Sequence, residues 1–419
     1  ILALGDSGVF IPDLRVSVAR TESAWTSLLS GQWPMQHGIR HMFPTQAEVA
    51  QPFPSVFRAL GDAGYRTVVV GDLGSEQFAD MDFGFAERKV PRFDVSSILQ
   101  GRLLMAQPLL LAYAALPFAD HALPAIRLEP SYNDAANVTR RLLDELDDQP
   151  SGNPFALLAI YSAAHFPYAA THPFYRRLPP YDGRHRFSKQ DLLWEQTVSQ
   201  EEIVRTHELY DMATTMFDHE VAAVLAYLER RSARQRTVVM VMGDHGEELY
   251  DDGQTMAHGD HLLGRSNRTP LIVNGPDIIE GEAPVHARLR DIDFAPTVAE
   301  LLSVPGRWQG TSFASLLTAG SEPRDRDMYY ETGLWFTADG QAPWQRRRLR
   351  YPDITTTCHV DETGRIALQD QFRDIVISAK HRSLETAQGR IVYMPTLFGP
   401  DWSYFPPGED RDRIADPRH

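Results

Sequence analysis

The sequence predicts an α/β protein, with a mostly parallel central sheet covered by helices on both faces and a small C-terminal α+β subdomain. Three observations point there. Short apolar runs such as Thr67–Val70 and Thr237–Met242 read as strands buried on both faces. Between such runs lie longer stretches with apolar residues at helical spacing, the alternation of a layered α/β domain. Beyond about residue 320 the texture changes to Arg-rich turns and short strand-like pieces. The 419 residues therefore divide into a main α/β domain over 1–320 and a smaller subdomain over 321–419.

In chain order, Ile1–Leu4 is expected to be a buried strand, because four small or apolar residues run straight into Gly5-Asp6. Thr21–Leu29 opens a helix, and Pro54–Ala63 forms another that stops at Gly64. Thr67–Val70 is β-branched and reads as a strand. Asn137–Leu146 is an amphipathic helix, and Phe155–Tyr161 a second apolar strand. Glu201–Arg231 is a long helical stretch, its stripe marked by Leu209, Met212, Met216, Val221, Val224 and Leu228. Thr237–Met242 and Pro270–Val273 are further strands, and Phe294–Leu302 a helix. In the C-terminal part, Ile375–Ser378 and Arg390–Met394 read as strands. The segment 103–126 is an insertion whose apolar part, Leu103–Phe118, is shorter than the ~20 residues of a membrane span and contains Pro108 and Pro117. It is expected either to pack as a buried helix pair or to dip into a lipid interface.

Composition narrows the function. Acidic residues outnumber basic ones 56 to 41, for a net charge of −15, which repels phosphate backbones and argues against nucleic-acid binding. The single cysteine, Cys358, excludes an internal disulfide framework and a Cys-based zinc cluster. Nitrogen and oxygen metal ligands remain, from 15 His and 56 acidic residues. The chain starts without Met or signal peptide, inside an apparent strand, so it reads as a fragment with any targeting or anchor segment upstream.

Three loops carry chemistry. In Gly243-Asp244-His245-Gly246-Glu247, an Asp and a His follow directly on an apolar strand, a pairing of oxygen and imidazole that suits Zn²⁺ or Mn²⁺. An N-cap Asp beside an exposed His fits the same run. Asp6 follows the first apolar run in the same way, so two strand-tip carboxylates can converge on one cation; a turn Asp is the alternative. Thr21 stands at a helix start, where the positive end of the dipole favours an alkoxide and a bound anion. Plain N-capping is the competing role, although Ala24 at the third following position leaves a capping box incomplete.

Together these segments resemble the alkaline-phosphatase superfamily and, within it, the sulfatase-like branch. Leu28-Leu29-Ser30-Gly31, Trp33-Pro34 and His37-Gly38 resemble the segment after the family's nucleophile. Ala63-Gly64-Tyr65-Arg66-Thr67, Asp244-His245-Gly246-Glu247 and Asp291-Ile292-Asp293-Phe294-Ala295-Pro296-Thr297 resemble three later motifs in the expected order. The resemblance places Thr21 at the nucleophile position, with Ser23 where the family has Pro and Trp25 where it has Arg. Sulfatases convert Cys or Ser to formylglycine, which Thr does not permit. The site therefore resembles the Thr-nucleophile members: phosphoethanolamine and phosphoglycerol transferases and lipoteichoic-acid synthases.

That resemblance implies one divalent metal held by Asp6, Thr21, Asp244 and His245, with Zn or Mn favoured and Ca or Mg also compatible. It implies that His165, in Ser162-Ala163-Ala164-His165-Phe166-Pro167-Tyr168, and His258, in His258-Gly259, hold substrate oxygens or serve the leaving group. Thr21 would attack a phosphate ester and form a phospho-threonine, and a glycan or lipid hydroxyl would accept the group. Hydrolysis by water and a non-catalytic binding role are the alternatives. A phospholipid donor, contact with a membrane surface and a periplasmic or extracellular location follow from the same resemblance. Only 15 positions separate Asp6 from Thr21, where the family has a few dozen, which suggests an omitted segment. Arg20 and Arg268 are candidate cationic contacts, and Trp33, His37, His41 and His261 candidate pocket walls. Asp218-His219 on the long helix reads as packing or surface.

Overall fold

The computed structural model describes residues 1–92, 94–95, 135–149, 152–166, 168, 170–174, 199–250, 256–259, 262, 265–281, 283–322, 324–334, 354–396 and 399–407. The apolar stretch 103–118, the Arg-rich turn 345–348, Gly253 and His261 lie outside the described residues.

The first element is not a strand. Leu2–Asp6 forms a short helix, α1, and the chain then turns through Ser7-Gly8 into β1, Val9–Arg15. Leu4 is buried, and its carbonyl accepts from the Asn274 side-chain amide. Gly8 is required at the turn, because a Cβ there would lie 2.3 Å from the Val273 carbonyl oxygen. The missed strand contains Pro12 and Asp13, which interrupt its apolar run. Its register shifts between Ile11 and Leu14, an irregularity that accommodates a residue lacking the N–H donor.

Helix α2, Thr21–Ser30, follows and ends at Gly31 in the left-handed region. Helix α3, Val56–Asp62, leads into β2, Arg66–Gly71, flanked by β3, Glu87–Lys89. Helix α4, Ala135–Asp147, precedes β4, Phe155–Ile160. The long helix α5, Gln200–Arg230, is capped by Ser199, whose side chain accepts from the Glu202 N–H. Strand β5, Val239–Met242, runs to the Asp-His loop, and a hairpin of β6, Glu248–Leu249, and β7, Met256–Ala257, follows. Then come β8, Arg268–Asn274, β9, Leu289–Arg290, and α6, Phe294–Leu301.

These strands form two sheets, ordered β3-β2-β4 and β5-β8-β1-β9. The first is parallel throughout; in the second, β8 runs antiparallel to both β5 and β1. Helices cover both faces of β2. Val69 joins the main apolar cluster with Val56 and Leu60 of α3 and Ala295 of α6. Val68 and Val70 point the other way, onto Val138 of α4.

The C-terminal part adds β10, Met328–Glu331, a β11–β12 hairpin (Cys358–Val360 and Ile366–Leu368) and helix α7, Arg373–Ser378. It then adds β13, Arg382–Thr386, β14, Gly389–Thr396, and β15, Gly399–Phe405. An antiparallel sheet runs β10-β13-β14-β15. The expected strand at Ile375–Ser378 is thus the helix α7, which buries Val376 while leaving Ile375 exposed. Buried charges tie this part to the rest. Glu331 accepts from Lys380 Nζ at 2.5 Å and from Arg40 at 2.5 Å. Burial alone would raise the Glu331 carboxyl, but Lys380 and Arg40 hold it down to about 2. Among the described residues, no helix is long and apolar enough to cross a membrane.

Candidate active site

Thr21 is the first residue of α2, preceded by extended Arg20. Its hydroxyl therefore sits where the helix presents unpaired N–H groups and the positive end of its dipole. Thr21 Oγ1 lies 3.5 Å from His245 Nε2. Asp244 Oδ2 lies 3.5 Å from the same nitrogen. His245 Nδ1 lies 2.8 Å from the Gly246 carbonyl, which accepts its proton and leaves Nε2 as the lone-pair nitrogen. Two glycines make this loop fit. A Cβ on Gly243 would lie 2.4 Å from Thr269 Oγ1, and one on Gly246 would lie 2.3 Å from the Arg265 carbonyl oxygen.

His258 completes the group. Its ring centroid is 4.1 Å from that of His245 and 5.8 Å from that of His165. His258 Nδ1 is 2.6 Å from Glu247 Oε2, and the Tyr168 hydroxyl donates to Glu247 Oε1 at 2.6 Å. Burial, with the Glu247 charge beside it, pushes the Tyr168 phenol well above its ordinary range, so it stays a donor. Positive φ values cluster here on Tyr168 (55°), Tyr250 (64°) and Ala257 (85°), a concentration of strain typical of functional loops. Beside Thr21, burial raises the Glu22 carboxyl; burial, with Glu22 and Asp72 nearby, brings Glu76 to about 7.

Asp6 is not brought to this group. It ends α1, is exposed, and lies beyond the first residue of β1, whereas Thr21 follows the last. Seven strand residues at about 3.3 Å each separate the two ends by roughly 20 Å. The expectation of two strand-tip carboxylates fails because the residues before Asp6 are helical. The short Asp6–Thr21 interval also has a structural content, since it holds the α1–β1 turn and β1 itself.

Other candidates lie elsewhere. His37 is buried and bonds Ser27 Oγ at 3.0 Å, and burial drops its pKa to about 3. His41 is fully buried, 3.4 Å from Glu48. Trp33 packs edge-on against Tyr329 under Arg290. Trp25, at the family's Arg position, is a core residue against Phe78. Arg268 approaches Asp13 at 3.9 Å. Asp218 is half-exposed on α5, and His219 packs on Phe174. Arg20 is buried between two glycines: a Cβ on Gly333 would lie 1.9 Å from Arg20 Cγ, and one on Gly259 would lie 2.7 Å from Arg20 Nε.

Glu247 joins this group through His258 and Tyr168, although sequence reasoning assigned it no role. Its signal was present: a carboxylate two residues after His245 and a Tyr three residues after His165.

The donor atoms fit a divalent cation. Ligand atoms around a tetrahedral zinc with bonds of about 2.0–2.1 Å sit about 3.3 Å apart, close to the two 3.5 Å separations at His245 Nε2. His245, Glu247 and His258 also offer ligand atoms within 4.8 Å of one another.

A Delta 4,5-hexuronate-2-O-sulfatase of Bacteroides thetaiotaomicron is 27% identical over 165 residues, covering 38% of this chain and 34% of that protein. The multifunctional alkaline phosphatase superfamily protein PehA of Trinickia caryophylli is 24% identical over 259 residues, covering 52% and 48%. The chain thus spans about a third to a half of the length of these curated relatives. The solved phosphonate monoester hydrolase of Silicibacter pomeroyi superposes with a TM-score of 0.66 at 19% identity, covering 98% of this chain and 85% of that one. The profile of the family described as Sulfatase matches residues 2–304, well over half of the sequence, and the chain belongs to that family.

Proposed function

We propose that this protein hydrolyses phosphate or sulfate esters, with the Thr21 hydroxyl as nucleophile and water as final acceptor. The observation that carries this is the convergence of Thr21 Oγ1 and Asp244 Oδ2 on His245 Nε2, at 3.5 Å each. Thr21 Oγ1 releases its proton to solvent water and bonds to the phosphorus or sulfur while the ester bond opposite breaks. The departing oxygen takes a proton from His258; with Nδ1 engaged by Glu247, this exchange falls to Nε2. His165, whose Nδ1 is 2.7 Å from the Phe166 carbonyl, holds a non-bridging oxygen. Water then attacks the Thr21 ester, losing a proton to His258, and the freed Thr21 oxygen takes a proton from solvent to restore the hydroxyl. Asp244, His245 and Thr21 would hold a divalent ion, which supplies a lowered hydroxyl pKa and charge relief on the transferred oxygens.

Phosphate is favoured over sulfate because Thr21 cannot become formylglycine. The hexuronate sulfatase among the relatives supports an ester borne on a sugar. One observation favours a second reading, transfer to a glycan or lipid hydroxyl: the threonine at the nucleophile position, with its resemblance to phospholipid-dependent transferases outside the cytoplasm.

The test is a panel of p-nitrophenyl phosphate, bis(p-nitrophenyl) phosphate and p-nitrophenyl sulfate, with and without added sugar acceptor. Expected are metal-dependent release of p-nitrophenol from a phosphate ester without acceptor, and loss of at least about 10³-fold in a folded Thr21→Ala. Undiminished turnover in Thr21→Ala removes the nucleophile assignment. Turnover that needs the acceptor supports transfer instead.

A further inference from the structure

The long helix α5 carries a polar stripe that neither its packing nor the chemistry above uses. His207, Tyr210, Asp211 and Thr214 recur at helical spacing, so their side chains share one face. All four line the cavity into which Thr21, His165, Asp244 and His245 also open. Farther along the helix the same cavity is lined by Phe217, Val221, Val224 and Leu228. This face is thus apolar along its length and turns polar at the end beside the active site. A face that served packing alone would be apolar throughout.

The polar groups of the stripe have no partners of their own. Among the described residues, the side chains of His207, Tyr210, Asp211 and Thr214 make no hydrogen bond, and Thr214 Oγ1 is buried in that state. The Tyr210 ring is fixed edge-on against Tyr168, with centroids 5.5 Å apart. Tyr168 in turn donates to Glu247, which holds His258. Burial, with the Glu247 charge beside it, pushes the Tyr210 phenol up to about 12, so it keeps a proton to donate at neutral pH.

We propose that this stripe is the subsite for the alcohol half of the ester, and that the alcohol is a neutral sugar. The proposal rests on the ester-hydrolase reading of the site and adds the class of leaving group. The alcohol departs on the side away from Thr21, toward His258, and Tyr210 reaches that side through Tyr168 and Glu247. A sugar offers several hydroxyls that each donate and accept. Two hydroxyls, an imidazole and a carboxylate in a row meet that demand, whereas an alkyl or aryl alcohol leaves them to water. Neighbours on the stripe stand about 5–6 Å apart, and the run from His207 to Thr214 is about 10 Å long, room for a sugar ring. The stripe holds one carboxylate and no Lys or Arg, so a uronate on the same sugar meets repulsion there.

The test is calorimetric binding of three unhydrolysable probes to the Zn²⁺-loaded protein. They are the methylenephosphonate analogues of glucose 1-phosphate and of glucuronate 1-phosphate, and propylphosphonate, which has no hydroxyls. The glucose probe is expected to bind at least about 10-fold tighter than propylphosphonate and at least about 3-fold tighter than the glucuronate probe. Tyr210→Phe, which keeps the ring against Tyr168, and Thr214→Val should each weaken the glucose probe about fivefold and leave propylphosphonate within about twofold. Equal affinity for the glucose probe and propylphosphonate, equal losses on both in the variants, or no binding of any probe overturns the subsite. Tighter binding of the glucuronate probe overturns the neutral sugar. Hydrolysis of p-nitrophenyl phosphate is followed alongside. Turnover without sugar preference rejects the subsite and leaves the hydrolase, whereas sugar-selective binding without turnover rejects the hydrolase reading and leaves the subsite.

Discussion

Glu247 offers the sharpest test of the active-site geometry. Its carboxylate bridges His258 Nδ1 and the Tyr168 hydroxyl at 2.6 Å each, with side-chain exposures of 3% for His258 and 7% for Glu247. Replacing it with Ala removes two charge-assisted hydrogen bonds worth about 1.5–3 kcal/mol each and leaves two buried donors in need of partners. The stability loss should be about 3–5 kcal/mol, read as a shift in the urea midpoint at unchanged slope. The kinetic effect acts through His258. A positioned acid contributes about 10²–10⁴-fold, so Glu247→Ala should lower kcat by about 10²-fold, or about 2.7 kcal/mol of barrier, with KM little changed. Glu247→Gln separates geometry from charge. Its amide oxygen can still accept from Tyr168, but its NH₂ faces Nδ1 and forces the proton onto Nε2. A double-mutant cycle completes the test, since Glu247→Ala should add almost nothing once His258 is Ala. A folded Glu247→Ala within threefold of wild type, or multiplicative losses in the double variant, would refute the coupling.

Three further predictions follow from the same coordinates. Asp6→Ala should leave metal content and kcat unchanged within about twofold, because Asp6 ends α1 at the far end of β1; a lost metal measured by elemental analysis returns Asp6 to the ligand set. Burial lifts the Asp291 carboxyl to about 7 while it accepts from Ser17 N and Oγ. Its contribution is therefore full below the unfolded value of about 3.9 and is lost as pH rises toward 7. The stability of wild type relative to Asp291→Asn should fall across that window, and a pH-independent difference rejects the shift. Glu331→Ala strands Lys380 and should cost about 3–5 kcal/mol, part of it regained by adding Lys380→Met; equal melting temperatures for wild type and Glu331→Ala contradict the buried pairing.

Much of the scaffold was legible because burial on both faces leaves a plain mark. Strands β2, β4 and β5 are short apolar runs between amphipathic helices, and Leu209, Met216, Val221 and Leu228 are buried on the long helix as their spacing predicts. The errors came from segments too short for periodicity to decide. Ile1–Leu4 and Ile375–Ser378 are apolar like strands, yet each makes a single helical turn or little more, settled by tertiary contact. Strand β1 went unseen because Pro12 and Asp13 sit at its register shift. At the site, His165 and His258 were named from the family resemblance of their segments, whereas Asp244 and His245 stood out by their place after a strand end and Thr21 by its place at a helix start. Glu247 did not, because its partners Tyr168 and His258 come from other loops.

The two glycines around Arg20 bear on where the enzyme can be cut. Gly333 comes from the C-terminal part, its N–H donates to the Gly259 carbonyl, and the residue it crowds stands immediately before Thr21. A polypeptide trimmed to the family-matched portion, residues 2–304, would strip this packing from behind Thr21. Divergence near Gly333 therefore has a direct mechanical route, through Arg20, to the Thr21 hydroxyl.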